Sequence, residues 1–316
     1  MPAGSEIVRL TAPDIARYRD GNTGIPYVTT LDSARPGPHA LITAVTHGNE
    51  LCGAVALDWL FRNEIRPTRG KLTLGFVNYA ACLAFDPARP GASRFVEEDL
   101  NRLWDEETLD GNRRSAELDR ARALRPAVDR ADFLLDLHSM SAASPPLILA
   151  GMLDRSIALA RSLAISDYLI RDEGHAAGRR MRDYGGFADA NSPKTALLVE
   201  CGQHWQPESA EIAIAACLRF LAVLEMIEPA EANRFAVPRM SAARIITVTE
   251  AVTVAGSDFT FAADYKGMEV IAKKGTLIGR DGMREVRTPY DECVLVMPSG
   301  NLTRGQTAVR LGRFTG

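Results

Sequence analysis

Six short apolar runs, at residues 27–31, 40–46, 71–77, 133–137, 146–150 and 195–199, alternate with helical patterns over the first two-thirds of the chain. Several are nearly continuous in apolar residues, as expected of strands covered on both faces. Between them, residues 51–62 place Leu51, Val55, Trp59 and Leu60 on one stripe, and residues 115–128 and 156–163 carry similar patterns. Residues 208–226 form the longest and most apolar of these, read as a helix packed flat on a sheet. Such alternation predicts an α/β layer built on a parallel or mixed sheet. After Pro229 the texture changes. A linker-like EPAEANRFAVP leads into short runs at 245–254, 259–262, 269–272, 286 and 293–297, separated by KKGT, GRDG and PSGN turns. That spacing predicts a small β-rich unit. The expected organisation is a domain over 1–230 and a second over 231–316.

Composition narrows the function. Forty acidic against 37 basic residues give a net charge of −3, without the basic excess a nucleic-acid binder carries. Five cysteines are far apart, odd in number and free of any C-x-x-C pair, which argues against a disulfide scaffold and for a reducing compartment. The N-terminus is polar where a signal peptide would be apolar. The longest apolar stretch, 212–227, is interrupted by Arg219 and Glu225 and is too short for a bilayer. A cytoplasmic enzyme or binding protein with no membrane partner is the expectation; homo-oligomerisation is left open.

The chemistry concentrates at strand ends. Thr46-His47-Gly48-Asn49-Glu50 follows the run LITAV, so an imidazole and a carboxylate three residues apart sit where a strand gives way to a helix. A second imidazole, His138, ends ADFLLDLH. Two histidines and one carboxylate form a His₂Glu set, the catalytic zinc arrangement that leaves a fourth position for water. Asp136, two residues before His138, shares its strand face and is placed to orient the ring. Glu200 ends TALLVE, and a carboxylate there that is not a ligand is a natural general base. His47, His138 and Glu200 thus share the edge where open α/β sheets bind ligands. Each has a plainer reading: a chance H-x-x-E, a hydrogen-bonded structural histidine, a surface glutamate. His39 and His175 read as exposed, and His204 reads first as structural, with an alternative ligand or a site-lining residue as the other readings. Arg94 ends a Pro/Gly loop and precedes Asp99-Leu100-Asn101-Arg102. This Asn-Arg pair suits a carboxylate, while Asp99 also suits a helix cap.

In the order THGNELCG, SRFVEEDLNRLW, DLHS and LLVECG, residues 40–205 resemble the succinylglutamate desuccinylase/aspartoacylase family of zinc hydrolases. The resemblance implies a zinc-carboxypeptidase-like mixed sheet flanked by helices, with a smaller β-rich C-terminal domain. It implies one zinc per chain on His47, Glu50 and His138, water activation by Glu200 and carbonyl polarisation by Arg94. Asn101 and Arg102 are implied as substrate contacts. The substrate class it implies is a small N-acyl amino acid, and a zinc carboxypeptidase acting on peptides is the alternative; a metal-free binding protein is the rival outside enzymes. One departure stands out. The substrate-binding arginine that aspartoacylases place about ten residues before the catalytic Glu is Ala190 here, with Arg182 the nearest upstream. No tyrosine is carried over to Tyr265 or Tyr290. KKGTLIGRDG and the PYDE turn are similar to bacterial members with a compact β appendage.

Overall fold

A computed structural model describes residues 7–174, 177–235, 238, 243–256, 258–300, 302 and 304–315. The first half supplies strands β1 (Val28–Asp32), β2 (His39–Ala44), β3 (Lys71–Phe76) and β4 (Phe133–Met140). Next come β5 (Leu147–Leu149), β6 (Tyr168–Arg171) and β7 (Thr195–Gln203). Helices α1 (Leu51–Arg62), α2 (Tyr79–Leu83), α3 (Glu106–Asp110), α4 (Ala116–Arg130), α5 (Asp154–Leu163), α6 (Pro207–Val223) and α7 (Pro229–Ala232) interleave with and follow them. The C-terminal part is all strand: β8 (Arg244–Thr253), β9 (Phe259–Phe261), β10 (Val270–Ile271) and β11 (Leu277–Asp281), then β12 (Arg284–Arg287), β13 (Cys293–Val296) and β14 (Thr307–Phe314). The mixed α/β class expected from the alternation is what the chain adopts.

Eleven strands form one sheet in the order β1-β3-β2-β4-β7-β5-β6-β8-β14-β13-β10, and β12-β11-β9 form a small second sheet. β3, β2, β4 and β7 run parallel, so their carboxyl ends open on one edge. Alternating side chains bury both faces. Ile42, Leu135 and Leu197 pack against α1 and α6, while Leu41, Leu134 and Ala196 pack against α4. This accounts for the near-continuous apolar runs. The α1 helix presses close to the sheet because residue 53 is glycine; a Cβ there would stand 2.8 Å from Ala44 Cβ and 3.0 Å from Leu137 Cβ.

The structure corrects several element readings. β4 and β7 continue three residues past 137 and four past 199, so His138 and Glu200 lie inside strands rather than at their last residue. The segment read as a linker carries α7, which Pro229 opens at the N-terminal position proline tolerates best. Residues 279–281, read as a turn, belong to β11, and β6 and β14 have no counterpart among the expected runs. β6 pairs in parallel with β8, from Tyr168↔Arg244 to Arg171↔Thr247, so backbone hydrogen bonds join the two parts of the chain in one sheet.

Candidate active site

Three neighbouring strands bring the site together. β2 ends at Ala44, and Val45 follows with φ of 52°, a left-handed conformation that a β-branched residue rarely adopts. The chain thereby swings His47 back over the sheet edge. Glu50 is the N-cap residue just before α1, and its side chain makes no cap hydrogen bond. Instead it turns inward: Oε1 lies 2.7 Å from His47 Nδ1, and Oε2 lies 2.9 Å from His138 Nδ1. Oε2 also accepts from the Ser139 backbone N–H at 3.1 Å. Ligand atoms of His47, Glu50 and His138 all fall within 4.8 Å of one another, and all three residues are buried.

The far nitrogens of both rings are held by carboxylates. His138 Nε2 lies 2.7 Å from Asp136 Oδ2, and His47 Nε2 lies 2.9 Å from Asp99 Oδ1. Asp136 is in turn fixed by the hydroxyls of Thr43 and Thr46, which donate to Oδ1 at 2.8 and 3.0 Å. This is the outer support that metal-ligating histidines require, since it frees Nδ1 as the ligand atom. Asp136 was legible as such from its spacing. Asp99 is the helix cap read from sequence, accepting from Asn101 N–H at 2.9 Å, and it also holds His47, a role that sequence reasoning missed.

The DLNR loop is tied to the same point. A Cβ on Gly48 would stand 2.3 Å from Ala81 C and 2.5 Å from Ser93 O, so only glycine lets the HGNE turn touch the strip that carries Arg94. Gly48 N–H donates to Arg94 O at 3.0 Å. Arg94 Nη1 reaches Glu50 Oε1 at 3.3 Å, and its Nη2 reaches Asp99 Oδ2 at 3.3 Å. Asn101 is buried, with Oδ1 accepting from Met181 N–H at 2.9 Å and Nδ2 lying 3.5 Å from His138 Nε2. Arg102 donates to Asn101 O at 2.7 Å and lies 3.5 Å from Asp99. A residue not anticipated from sequence, the buried Glu117, anchors the strip between: it accepts from the N–H groups of Val96, Glu97 and Glu98.

Glu200 sits on β7 directly opposite His138 on β4. Its Oε2 is buried and has no hydrogen-bond partner among the described residues. Burial, aided by the nearby negative charge of Glu50, pushes its carboxyl up to about 8, while His138, Arg94 and Arg310 pull the other way. Glu50 behaves oppositely. Burial would raise it, yet the charges on His47 and His138 hold it well below the usual carboxylate range. Two carboxyls so close and so differently tuned are the pattern expected of unlike roles.

A cavity of about 750 Å³ opens over these groups and is lined by every sequence-predicted site residue: His47, Glu50, Arg94, Asn101, Arg102, His138 and Glu200. His204 also lines it, buried, with Nδ1 2.8 Å from Ser139 Oγ; burial presses its pKa down to about 4. His39, expected to be exposed, is half-buried with Nε2 2.7 Å from Thr73 Oγ1, and His175 lies outside the described residues. Ala190 is exposed, and Arg182 faces a neighbouring cavity of about 250 Å³ while donating to Ala150 O at 2.9 Å. Neither restores the missing arginine. The rest of the lining includes residues of the C-terminal part, mostly from the segment between β13 and β14, together with Thr307 and Arg310 on β14, which sequence reasoning missed along with its strand.

A buried His₂Glu cluster with an unpaired carboxylate beside it, on the open edge of a mixed sheet, is the donor arrangement of a catalytic metal site. Residues 36–224 match the succinylglutamate desuccinylase/aspartoacylase catalytic domain, and the chain belongs to this family of hydrolases. No curated protein matches the sequence. Among solved structures, a succinylglutamate desuccinylase/aspartoacylase from Rhodobacter sphaeroides shares the fold with TM-score 0.66 and 20% identity, over 92% of this chain and 89% of that one. A succinylglutamate desuccinylase from Vibrio parahaemolyticus gives 0.66 and 18%, over 92% and 87%. The product-bound ectoine utilization protein EutE (DoeB) from Ruegeria pomeroyi gives 0.62 and 19%, over 91% and 88%.

Proposed function

We propose that this chain is a zinc-dependent amidohydrolase that removes the acyl group from an N-acyl amino acid or a similar small amide bearing a carboxylate. The observation that carries the reading is the convergence of His47, Glu50 and His138 beside the unpartnered Oε2 of Glu200. One zinc per chain would be held by those three side chains. When bound it supplies Lewis acidity and brings the pKa of water down to about 7. Glu200 would take the proton of the attacking water and return it to the leaving nitrogen. Arg94, beside Glu50 and Asp99, would stabilise the oxyanion that develops on the carbonyl. Asn101 and Arg102 would anchor the substrate carboxylate, with Asp99 holding the guanidinium in place.

Residues 1–230 would thus carry the catalytic groups and residues 231–316 part of the remaining cavity lining. That lining suits a small substrate better than a peptide, and the family's desuccinylase and aspartoacylase names support an acylated amino acid. Five cysteines, all free and buried, suit our reading of a cytoplasmic enzyme. Two measurements test the proposal. Elemental analysis should find one zinc per chain in the wild type and little in His138→Ala; full retention by the variant would remove His138 from the ligand set. A panel of N-acyl amino acids against C-terminal dipeptides should be hydrolysed only on the acyl side. Faster cleavage of the dipeptides would make the protein a carboxypeptidase.

A further inference from the structure

The C-terminal part of the cavity lining contains a buried guanidinium, Arg310, whose ion pair with Asp172 is long and whose Nε makes no hydrogen bond among the described residues. β14 runs between β8 and β13, and its Arg310 pairs with Ala251 on one side and Val296 on the other. Val309 and Leu311 flank it as buried apolar neighbours, and Arg310 itself is only 6% exposed. A guanidinium keeps its proton even there, so burial demands hydrogen-bond acceptors. Its Nε has none among the described residues. The nearest carboxylate oxygen, Asp172 Oδ2, is 3.6 Å away and is already engaged. Both oxygens of Asp172 accept from Arg180, at 3.0 and 2.7 Å, and Arg180 reaches Asp183 as well at 2.6 Å. The other cavity arginines have closer company, Arg94 on Asp99 and Arg102 on Asn101 O.

A second polar atom on the same cavity is in the same condition. Ser144 Oγ is buried without a hydrogen-bond partner, and it packs against the C-terminal part, since a Cβ on Gly267 would stand 2.7 Å from it. Two residues that line one cavity, a guanidinium and a hydroxyl, thus carry donor atoms without a hydrogen-bond partner among the described residues, a setting that suits an acceptor-rich group. Arg310 lines the same cavity as Glu200 and Arg102.

We propose that Arg310 is a specificity-determining residue that receives a second anionic group of the substrate, a carboxylate separate from the one held by Arg102. The inference rests on the deacylase reading for its substrate and on the geometry of β14 for its site.

Isosteric pairs test it, because they change charge and little else. N-acetylglutamate against N-acetylglutamine probes the amino-acid side, and N-succinylglutamine against N-succinamoylglutamine probes the acyl side. The zinc-loaded wild type should prefer the carboxylate member of at least one pair in kcat/KM. In Arg310→Gln that preference should fall roughly ten- to a hundredfold, the value of a charged hydrogen bond. Arg310→Lys keeps the charge but not the planar fork, and should lose several-fold. It also serves if the glutamine variant does not fold. A wild type that does not discriminate within either pair, or variants that discriminate as well as the wild type, would overturn the assignment. Calorimetric binding of the same four compounds separates this idea from the one beneath it. An Arg310-dependent preference in binding without any turnover would sink the deacylase reading and keep the anion site. Turnover with no such preference would do the reverse.

Discussion

Glu117 offers a sharp test of how the site is held, because it touches none of the reacting groups. The residue is 1% exposed at the head of α4, and each of its two oxygens accepts twice. Oε1 takes Val96 N–H at 2.6 Å and Asn78 Nδ2 at 3.0 Å; Oε2 takes Glu97 N–H at 3.1 Å and Glu98 N–H at 3.2 Å. Glutamine has the same shape but only one acceptor. Whichever way its amide is turned, its NH₂ group confronts two donors now held in buried or part-buried hydrogen bonds. An unsatisfied buried donor costs about 1–3 kcal/mol and a part-buried one less, so Glu117→Gln should destabilise the fold by roughly 1–4 kcal/mol. The strip from Val96 to Glu98 begins two residues after Arg94, so freeing it loosens the guanidinium as well. Urea unfolding read by circular dichroism should give a lower midpoint with an unchanged slope. Bound zinc should persist, because none of the three proposed ligands is contacted by Glu117. kcat should fall more than KM rises, since Arg94 acts chiefly as charge develops. An exposed change such as Glu211→Gln serves as the control. Stability within 0.5 kcal/mol of wild type, the range of ordinary surface substitutions, would refute the account of Glu117 as the anchor.

Glu200→Gln should keep its zinc and lose about 10²–10⁴-fold in kcat, the usual cost of a missing general base; turnover within a few-fold of wild type would make Glu200 structural. Arg102→Ala should raise KM roughly ten- to a hundredfold, whereas Arg94→Ala should act mainly on kcat. Equal effects of the two on KM alone would leave Arg94 as a second binding residue. His204 carries a pH signature. Its pKa falls from 6.5 unfolded to about 4 folded, chiefly through burial, so the unfolded chain binds the extra proton between these values and stability drops as pH falls through that window. At pH 5 the loss is about 2 kcal/mol relative to neutral pH. His204→Asn should remove that part of the acid sensitivity in urea melts, and a variant as acid-labile as wild type would contradict the assignment.

Much of one wall of the site could be read from sequence, and almost none of the other. His47 and Glu50 are neighbours in the chain, and His138 and Glu200 fall in apolar runs whose parallel pairing follows from the alternation itself. Local spacing is enough to place such groups. Asp136 was within reach for the same reason, being two residues from His138 on a pleated strand. Glu117 was not, because its partners are backbone N–H groups some twenty residues away, which no side-chain pattern announces. Arg310 was missed because β14 went unrecognised. Arg310 and Arg313 break up its apolar residues, and its pairing with β8 spans about sixty residues of chain. His39 shows the limit from the other side: a polar flank suggested exposure, but contact with Thr73 on the next strand half-buries it.

The parallel pairing of β6 with β8 also governs how the molecule can be cut. A fragment ending near residue 235 would keep every proposed zinc ligand, yet it would lose the strand that covers β6. Leu169 and Ile170, both wholly buried, lie on that newly bared margin, and its unpaired amides and carbonyls invite another chain to dock there. Leu147, Leu149 and Leu198 would lose Ile246, Met268, Val294 and Val296, the apolar partners they meet from the C-terminal strands. Such a fragment would be sticky rather than minimal. The protein therefore behaves as one unit for expression and engineering, and a graft of new C-terminal strands has to reproduce the register Tyr168↔Arg244 before any change to the cavity wall can be judged.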